Sequence, residues 1–327
     1  MHIPDGVLSP GVCLGAGVIA AFGLQHAFRR LDQTLATRTV PLTGMLAALV
    51  FAGQMVNFPI GLPASGHLIG GALAAILLGP QGAAVALSLV LFVQMALFSD
   101  GGKFAYGANV VNMALVAPGT AWMVFQGIRN RFRSPRGTLV AGMLAAWCSV
   151  LASAACFCLQ FWLSYPAGTF PLSRVWLLMA GFHSLIGVGE ALITGAILSV
   201  VLVQRPDMVQ TPLSDSAGHL RNLVRTGVVA ALLIAAFAAP FASELPDGLE
   251  KVAQETGFDS RATPADPLLL EEYSVPLPGT NAQDPLWGKV ATALAGLLGT
   301  TTVLGLGWLL SRTMPSDEPP AEKLHAG

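Results

Sequence analysis

Nine apolar stretches, most of them about as long as a bilayer core is thick, follow one another along this chain of 327 residues. They run over 11–28, 41–57, 66–80, 82–98, 105–126, 139–163, 176–203, 223–242 and 287–310. A hydrocarbon core takes about 20 apolar residues per helix. Backbone polar groups find no water there, so such stretches cross as helices. The pattern predicts an all-α fold, a polytopic membrane helical bundle of about nine transmembrane helices. Charge agrees, because 11% of residues are charged where a soluble domain carries about 25%. The third stretch is short and flanked by Gly66, Gly70, Gly71 and Gly79-Pro80. It reads either as a partial span or as one whose entrance is buried by protein, since irregular backbone survives at membrane depth only there.

Basic residues orient the bundle. Arg29, Arg30 and Arg38 follow the first stretch, and Arg129, Arg131, Arg133 and Arg136 follow the fifth. Arg205, Arg221 and Arg225 separate the seventh from the eighth, and Arg312 follows the ninth. With nine crossings these loops share one side, which the positive-inside rule makes cytoplasmic. The amino terminus is then outside and the carboxy terminus inside. No Lys or Arg precedes Arg29, so the first stretch lacks the basic start of a secretory signal, and Met1 is expected to be retained. A formal net charge of −1 gives no footprint for nucleic acid. Cys13, Cys148, Cys156 and Cys158 sit in apolar stretches and read as small hydrophobes rather than a disulfide framework.

The first residues, Met1-His2-Ile3-Pro4-Asp5-Gly6, carry coordination chemistry. A terminal amine, the next amide nitrogen and the imidazole of His2 can close two chelate rings on one ion. Such a nitrogen set suits Ni(II) or Cu(II). The plainer alternative is a disordered start. The expected topology also places Ser65-Gly66-His67 at the outer face. The His67 imidazole either bonds a carbonyl at a helix start or supplies a fourth nitrogen beside Met1 and His2. Protons compete for these nitrogens, so affinity is expected to fall in acid.

Polar side chains inside a membrane are costly and point to function or to interhelical bonds. Gln94 and Asp100 close the fourth stretch, and Asn109 and Asn112 open the fifth. His183 and Glu190 lie seven apart on one face of the seventh. With Ser65, these are candidates for orienting the imidazoles or lining the ion's path, Glu190 being more suited to an interhelical bond. Ala16 and Ala20 form a small-xxx-small pair, for packing within the chain or docking a second membrane subunit. The chain divides into 1–205, a cytoplasmic linker 206–222, a two-helix unit 223–310 around an acidic extracytoplasmic loop 243–286, and a disordered tail 311–327. The loop is expected to be helical near 247–256. No GxxxxGK[ST], HExxH or GxSxG motif is present, so neither an ATPase nor a hydrolase is indicated.

Four separated motifs then resemble one family. They are Met1-His2-Ile3-Pro4-Asp5-Gly6; Ser65-Gly66-His67-Leu68-Ile69-Gly70-Gly71-Ala72; Asp100-Gly101-Gly102 with Gly107-Ala108-Asn109-Val110-Val111-Asn112-Met113; and His183-Ser184-Leu185-Ile186-Gly187-Val188-Gly189-Glu190. In this order they resemble the substrate-binding membrane component of nickel/cobalt transporters of the energy-coupling-factor type. Residues 225–310, with Pro246-Asp247-Gly248-Leu249-Glu250, are similar to the family's small accessory subunit, here fused. The resemblance implies a bacterial inner-membrane uptake component, not an enzyme. It implies Ni2+ or Co2+ as transported substrate, no permanent cofactor, and ligands at Met1, His2 and His67. It implies a transmembrane coupling subunit and cytoplasmic ABC ATPases as partners, with Ala16 and Ala20 resembling the coupling face. The competing class is a stand-alone ion-coupled carrier or channel using His183 and Glu190 as a proton relay. Nickel and cobalt remain undecided.

Overall fold

The computed structural model describes residues 1–34, 39–204, 217–263, 270, 273–276 and 285–313. Helix α1 (Pro10–Thr34) leaves the amino-terminal strand, and α2 (Thr39–Gln54) returns. A loop with a minimal antiparallel pair, β1 (Phe58–Pro59) and β2 (Ser65–Gly66), leads into α3 (Gly71–Phe98). Next come α4 (Tyr106–Asn109), a π-helical stretch (Val110–Val116) and α5 (Ala117–Arg131). The long pair α6 (Pro135–Ser164) and α7 (Leu172–Gln204) follows. Helix α8 (Ala217–Leu233) continues through π and 3-10 turns to Phe241, α9 (Gly248–Thr256) is short, and α10 (Pro285–Thr313) completes the described chain.

Seven of the described helices are long and apolar enough to cross a membrane, and the apolar helix over 41–54 is shorter. The nine expected stretches and this count differ at two places: the second stretch is the shorter helix, and the third and fourth are joined. The third and fourth stretches run together as α3, which is broken at Gly79 (φ 75°, ψ 166°) with Pro80 next in line. Only glycine adopts such backbone readily, and proline cannot donate the helical bond across the break. A straight α3 would set Ile69 and Gln94 about 37 Å apart, at about 1.5 Å per residue. Yet Gln54 bonds both, donating to the Ile69 carbonyl at 2.9 Å and accepting from Gln94 at 2.8 Å. The chain therefore turns back at Gly79-Pro80. A short arm starts beside His67, and a full-length arm returns to the same end.

That end collects most of the buried polar groups. The strand Met1–Val7 threads into it, with Met1, Ile3, Val7 and Leu8 buried in one apolar cluster with α4–α7. Backbone and side-chain bonds pin it along its length. The Ile3 carbonyl accepts from Gly102 N at 2.9 Å, and the Asp5 carboxylate accepts from the amides of Lys103, Phe104 and Ala105, each at 2.9 Å. Tyr165 donates to the Val7 carbonyl at 2.8 Å. Gly102 is required here, because a Cβ would lie 2.4 Å from the Asp5 amide nitrogen.

Tracing the reversals puts Arg29, Arg30, Arg129, Arg131, Arg133, Arg136, Arg221 and Arg225 at the far end of the bundle. This is the segregation that the charge pattern anticipates. Arg38, Arg205, residues 206–216 of the expected linker and the tail from residue 314 lie outside the described residues, as does the side chain of Arg312. All four cysteines are free. Ala16 and Ala20 are 5% exposed and face inward, where Gly107 lies so close to Gly17 that a Cβ would come within 2.4 Å of its Cα. The outward row on α1 is Leu14, Val18, Ile19 and Phe22.

Candidate metal centre

The amino-terminal nitrogen of Met1 is the hub of the site. It lies 2.5 Å from His67 Nε2 and 2.5 Å from Asp247 Oδ2. The residue is 5% exposed, and its sulfur accepts from the Ser153 hydroxyl at 3.5 Å. A cavity of about 10 Å³ adjoins it, bounded by His67, His183, Ile186 and Asp247 among others. Asn109 fixes the approach of the strand. Its Oδ1 accepts from Ile3 N at 2.8 Å and its Nδ2 donates to the Ile3 carbonyl at 3.1 Å. Asn109 thus acts on the main chain rather than on an imidazole.

The two imidazoles stack, with centroids 5.3 Å apart and planes 19° from parallel. Their partners set which nitrogen carries the proton. His67 Nδ1 lies 3.0 Å from the Leu68 carbonyl, which can only accept, so Nδ1 holds the hydrogen and Nε2 turns a lone pair to Met1. For His2 the same logic runs through two amides. The Ile69 carbonyl orients Gln54, and Gln54 orients Gln94, which leaves Gln94 Oε1 facing His2 Nε2 at 3.0 Å. His2 Nε2 then carries the proton. Its Nδ1 lies 3.1 Å from Asp100 Oδ1, a carboxylate oxygen that can only accept, so this nitrogen becomes free for a metal once it parts from Asp100. Among the described residues no cluster of three or more His, Cys, Asp or Glu side chains is set up to hold a metal.

Burial lowers the His2 pKa from 6.5 to about 4, against the raising influence of Asp100. A free His titrates near 6.5, so between pH 6.5 and about 4 an undocked His2 binds a proton that the docked one refuses. Docking is at full strength above pH 6.5, weakens as pH falls through that window, and changes no further below about 4. The difference corresponds to roughly 3 kcal/mol. Exchange protection of the Ile3 and Gly102 amides, corrected for intrinsic rates, is expected to decline over this window. In His2→Gln it should not follow that course.

The other expected residues divide. Gln94 contacts the His2 ring. His183 lines the small cavity, its Nδ1 2.9 Å from the Met179 carbonyl. Glu190 accepts from the Ile69 and Gly70 amides at 2.6 and 2.8 Å, tying α7 to the turn before α3. These engagements leave no described contact joining His183 to Glu190. Ser65 serves the accessory loop, donating from N to the Pro246 carbonyl at 2.8 Å and from Oγ to the Leu245 carbonyl at 2.7 Å. Asn112 pairs reciprocally with Gln160 at 3.0 and 2.8 Å.

Two residues were not anticipated at the site. Gln54 stands alone in an apolar helix, where an intramembrane amide is itself a signal. Asp247 lies in a loop that reads as merely acidic. It caps α9, its Oδ1 accepting from Leu249 N at 2.7 Å and Glu250 N at 2.9 Å, while Oδ2 reaches the amine. Burial pushes this carboxylate upward, but the terminal ammonium and His67 outweigh it and hold the pKa well below the usual 3.8. Tyr273, from the same loop, stacks on Phe98 at 4.6 Å and donates to Asp100 Oδ2 at 2.6 Å.

Comparison with known proteins accounts for both halves. The family described as "Cobalt uptake substrate-specific transmembrane region" matches residues 2–208. The chain belongs to this family. A PDGLE domain matches residues 221–315, so the cobalt-uptake region is fused to it. A putative fused nickel transport protein NikMN of Archaeoglobus fulgidus is 33% identical over 95% of this chain and 98% of its own length. The fused nickel transport protein NikMN of Rhodobacter capsulatus is 29% identical over 94% and 96%. The crystal structure of a transition metal transporter, 30% identical, superposes with a TM-score of 0.54 over 69% of this chain and 99% of that one. This family member is a multi-span helical membrane protein whose relatives carry nickel or cobalt in their names.

Proposed function

We propose that the chain binds Ni2+ or Co2+ at the outer membrane face as the substrate-specific component of an ATP-driven energy-coupling-factor importer. The observation that carries this is the seating of the buried Met1 amine against His67 Nε2 beside a small cavity. The amine and amide nitrogens, His2 Nδ1 and His67 Nε2 would supply four nitrogen donors to one ion. Such a set disfavours Mg2+ and Mn2+ and suits nickel and cobalt. Gln94 and Gln54 hold the His2 tautomer, and Asn109 holds the strand. Partners supply the energy, namely a membrane coupling subunit and cytoplasmic ATPases in the inner membrane. The engaged states of His183 and Glu190 lend no support to a proton relay.

Calorimetric titration of the purified full chain with NiCl2 and CoCl2 tests the reading. Wild type should bind. His67→Ala should lose more than the roughly 10–100-fold that removal of an outer partner costs a metal site. Cellular uptake should require the coupling subunit and ATPases; uptake by this chain alone would favour a stand-alone carrier.

A further inference from the structure

The PDGLE loop brings Asp247 Oδ2 within 2.5 Å of the Met1 nitrogen and 3.6 Å of His67 Nε2, and those two nitrogens are 2.5 Å apart. Three atoms so separated lie on a circle of radius about 1.8 Å, just under the roughly 2.0–2.2 Å that zinc, a first-row divalent ion, takes to imidazole and carboxylate. One ion set slightly out of their plane reaches all three. The imidazole of His2 is not part of this triangle, because its ring nitrogens face Asp100 and Gln94.

Position supports the same conclusion. Two cavities meet here, the small one beside Met1 and an open vestibule of about 840 Å³ between the accessory loop and the bundle. His67 and Asp247 are the residues that line both. The vestibule wall carries Asp100, Glu244, Asp247, Glu250 and Asp259, and no lysine or arginine among the described residues. Clefts of one sign concentrate the opposite ion, so a divalent cation drawn in meets Asp247 before it reaches the buried amine.

We propose that Asp247 is a transient metal ligand, one that receives the ion together with the Met1 amine and His67 before the nitrogens of His2 close on it. The exchange balances simply. The cation takes the amine lone pair, one proton leaves the ammonium for bulk water, and Oδ2 passes from the ammonium to the ion. The amide nitrogen of His2, releasing its own proton to bulk water, and Nδ1, parting from Asp100, then displace Oδ2. The inference rests on the nickel/cobalt reading above. A ligand of this kind speeds arrival and departure alike.

The test is stopped-flow mixing of the full chain with NiCl2, together with a dissociation chase by excess chelator. Asp247→Asn keeps an N-cap oxygen but loses the anionic donor, and Asp247→Ser keeps the cap without the reach. For both variants, association and dissociation rates should each fall about tenfold or more, the scale of lost metal-site partners. In a His2→Ala background, residual weak Co2+ binding should vanish on adding Asp247→Asn. Wild-type rates in both variants would overturn the proposal. So would a fall in association alone that disappears at high salt, since the carboxylate would then contribute field and not a bond. Wild-type protein that binds neither metal would instead overturn the functional reading.

Discussion

Adding one residue ahead of Met1, or retaining the formyl group, is expected to abolish nickel and cobalt binding. The amine is the one group in the site with no side-chain substitute. Acylation turns it into an amide, which removes both its lone pair and its charge. The cavity beside it, about 10 Å³, is about one water probe in size, and the Met1 side chain is already buried in the core. An extra residue therefore has no place to go unless the strand Met1–Val7 withdraws. Asp247 would also lose its cation. Breaking a buried charge pair from one side costs about 3–5 kcal/mol, which is roughly 10²–10⁴-fold in an equilibrium constant. Isothermal titration of native and one-residue-extended protein reads this directly. An extended chain that binds as tightly as the native one would remove the amine from the ligand set, and the functional proposal with it.

Glu190→Ala should give the largest loss of stability. This carboxylate is fully buried and takes two backbone amides, from Ile69 and Gly70, at the point where the chain enters the short arm of α3. Without it both N–H groups are stranded away from water. Each such group costs about 1–3 kcal/mol, so the pair costs about 2–6 kcal/mol. Glu190→Gln keeps one acceptor oxygen and should fall between. Thermal unfolding in detergent would register the order wild type, Gln, Ala. Because Ile69 and Gly70 lie two and three residues after His67, Ni2+ affinity should drop alongside stability. Equal melting of all three proteins would show that the turn is held by other means.

The bundle was legible because hydropathy reports burial in lipid over lengths that do not depend on tertiary detail. The partial third span was legible too, since Gly79-Pro80 is a local conformational statement. His2 and His67 were brought together by counting crossings, and their rings stack in the structure. The remainder depends on contacts between distant segments. Nothing local in Pro246-Asp247-Gly248 says that its carboxylate reaches a residue 246 positions away. The capping box of Asp247 and Glu250 is local, but the pairing with Ser65 that aims the carboxylate is not. Gln54 has the same character, since its meaning lies in being between Ile69 and Gln94. Ala16 and Ala20 show the converse limit. Their spacing marks a close approach without naming the partner, and the structure places Gly107 there.

The parallel bridge between Ser65 and Asp247 has a further consequence. It makes the two fused halves share one wall of the chamber around the amine. Were the halves separate polypeptides, that wall would come and go with their dissociation. A covalent tether instead sets a local concentration in the millimolar range for a short flexible link. The stoichiometry is locked at one to one, and closure of the chamber becomes independent of expression level.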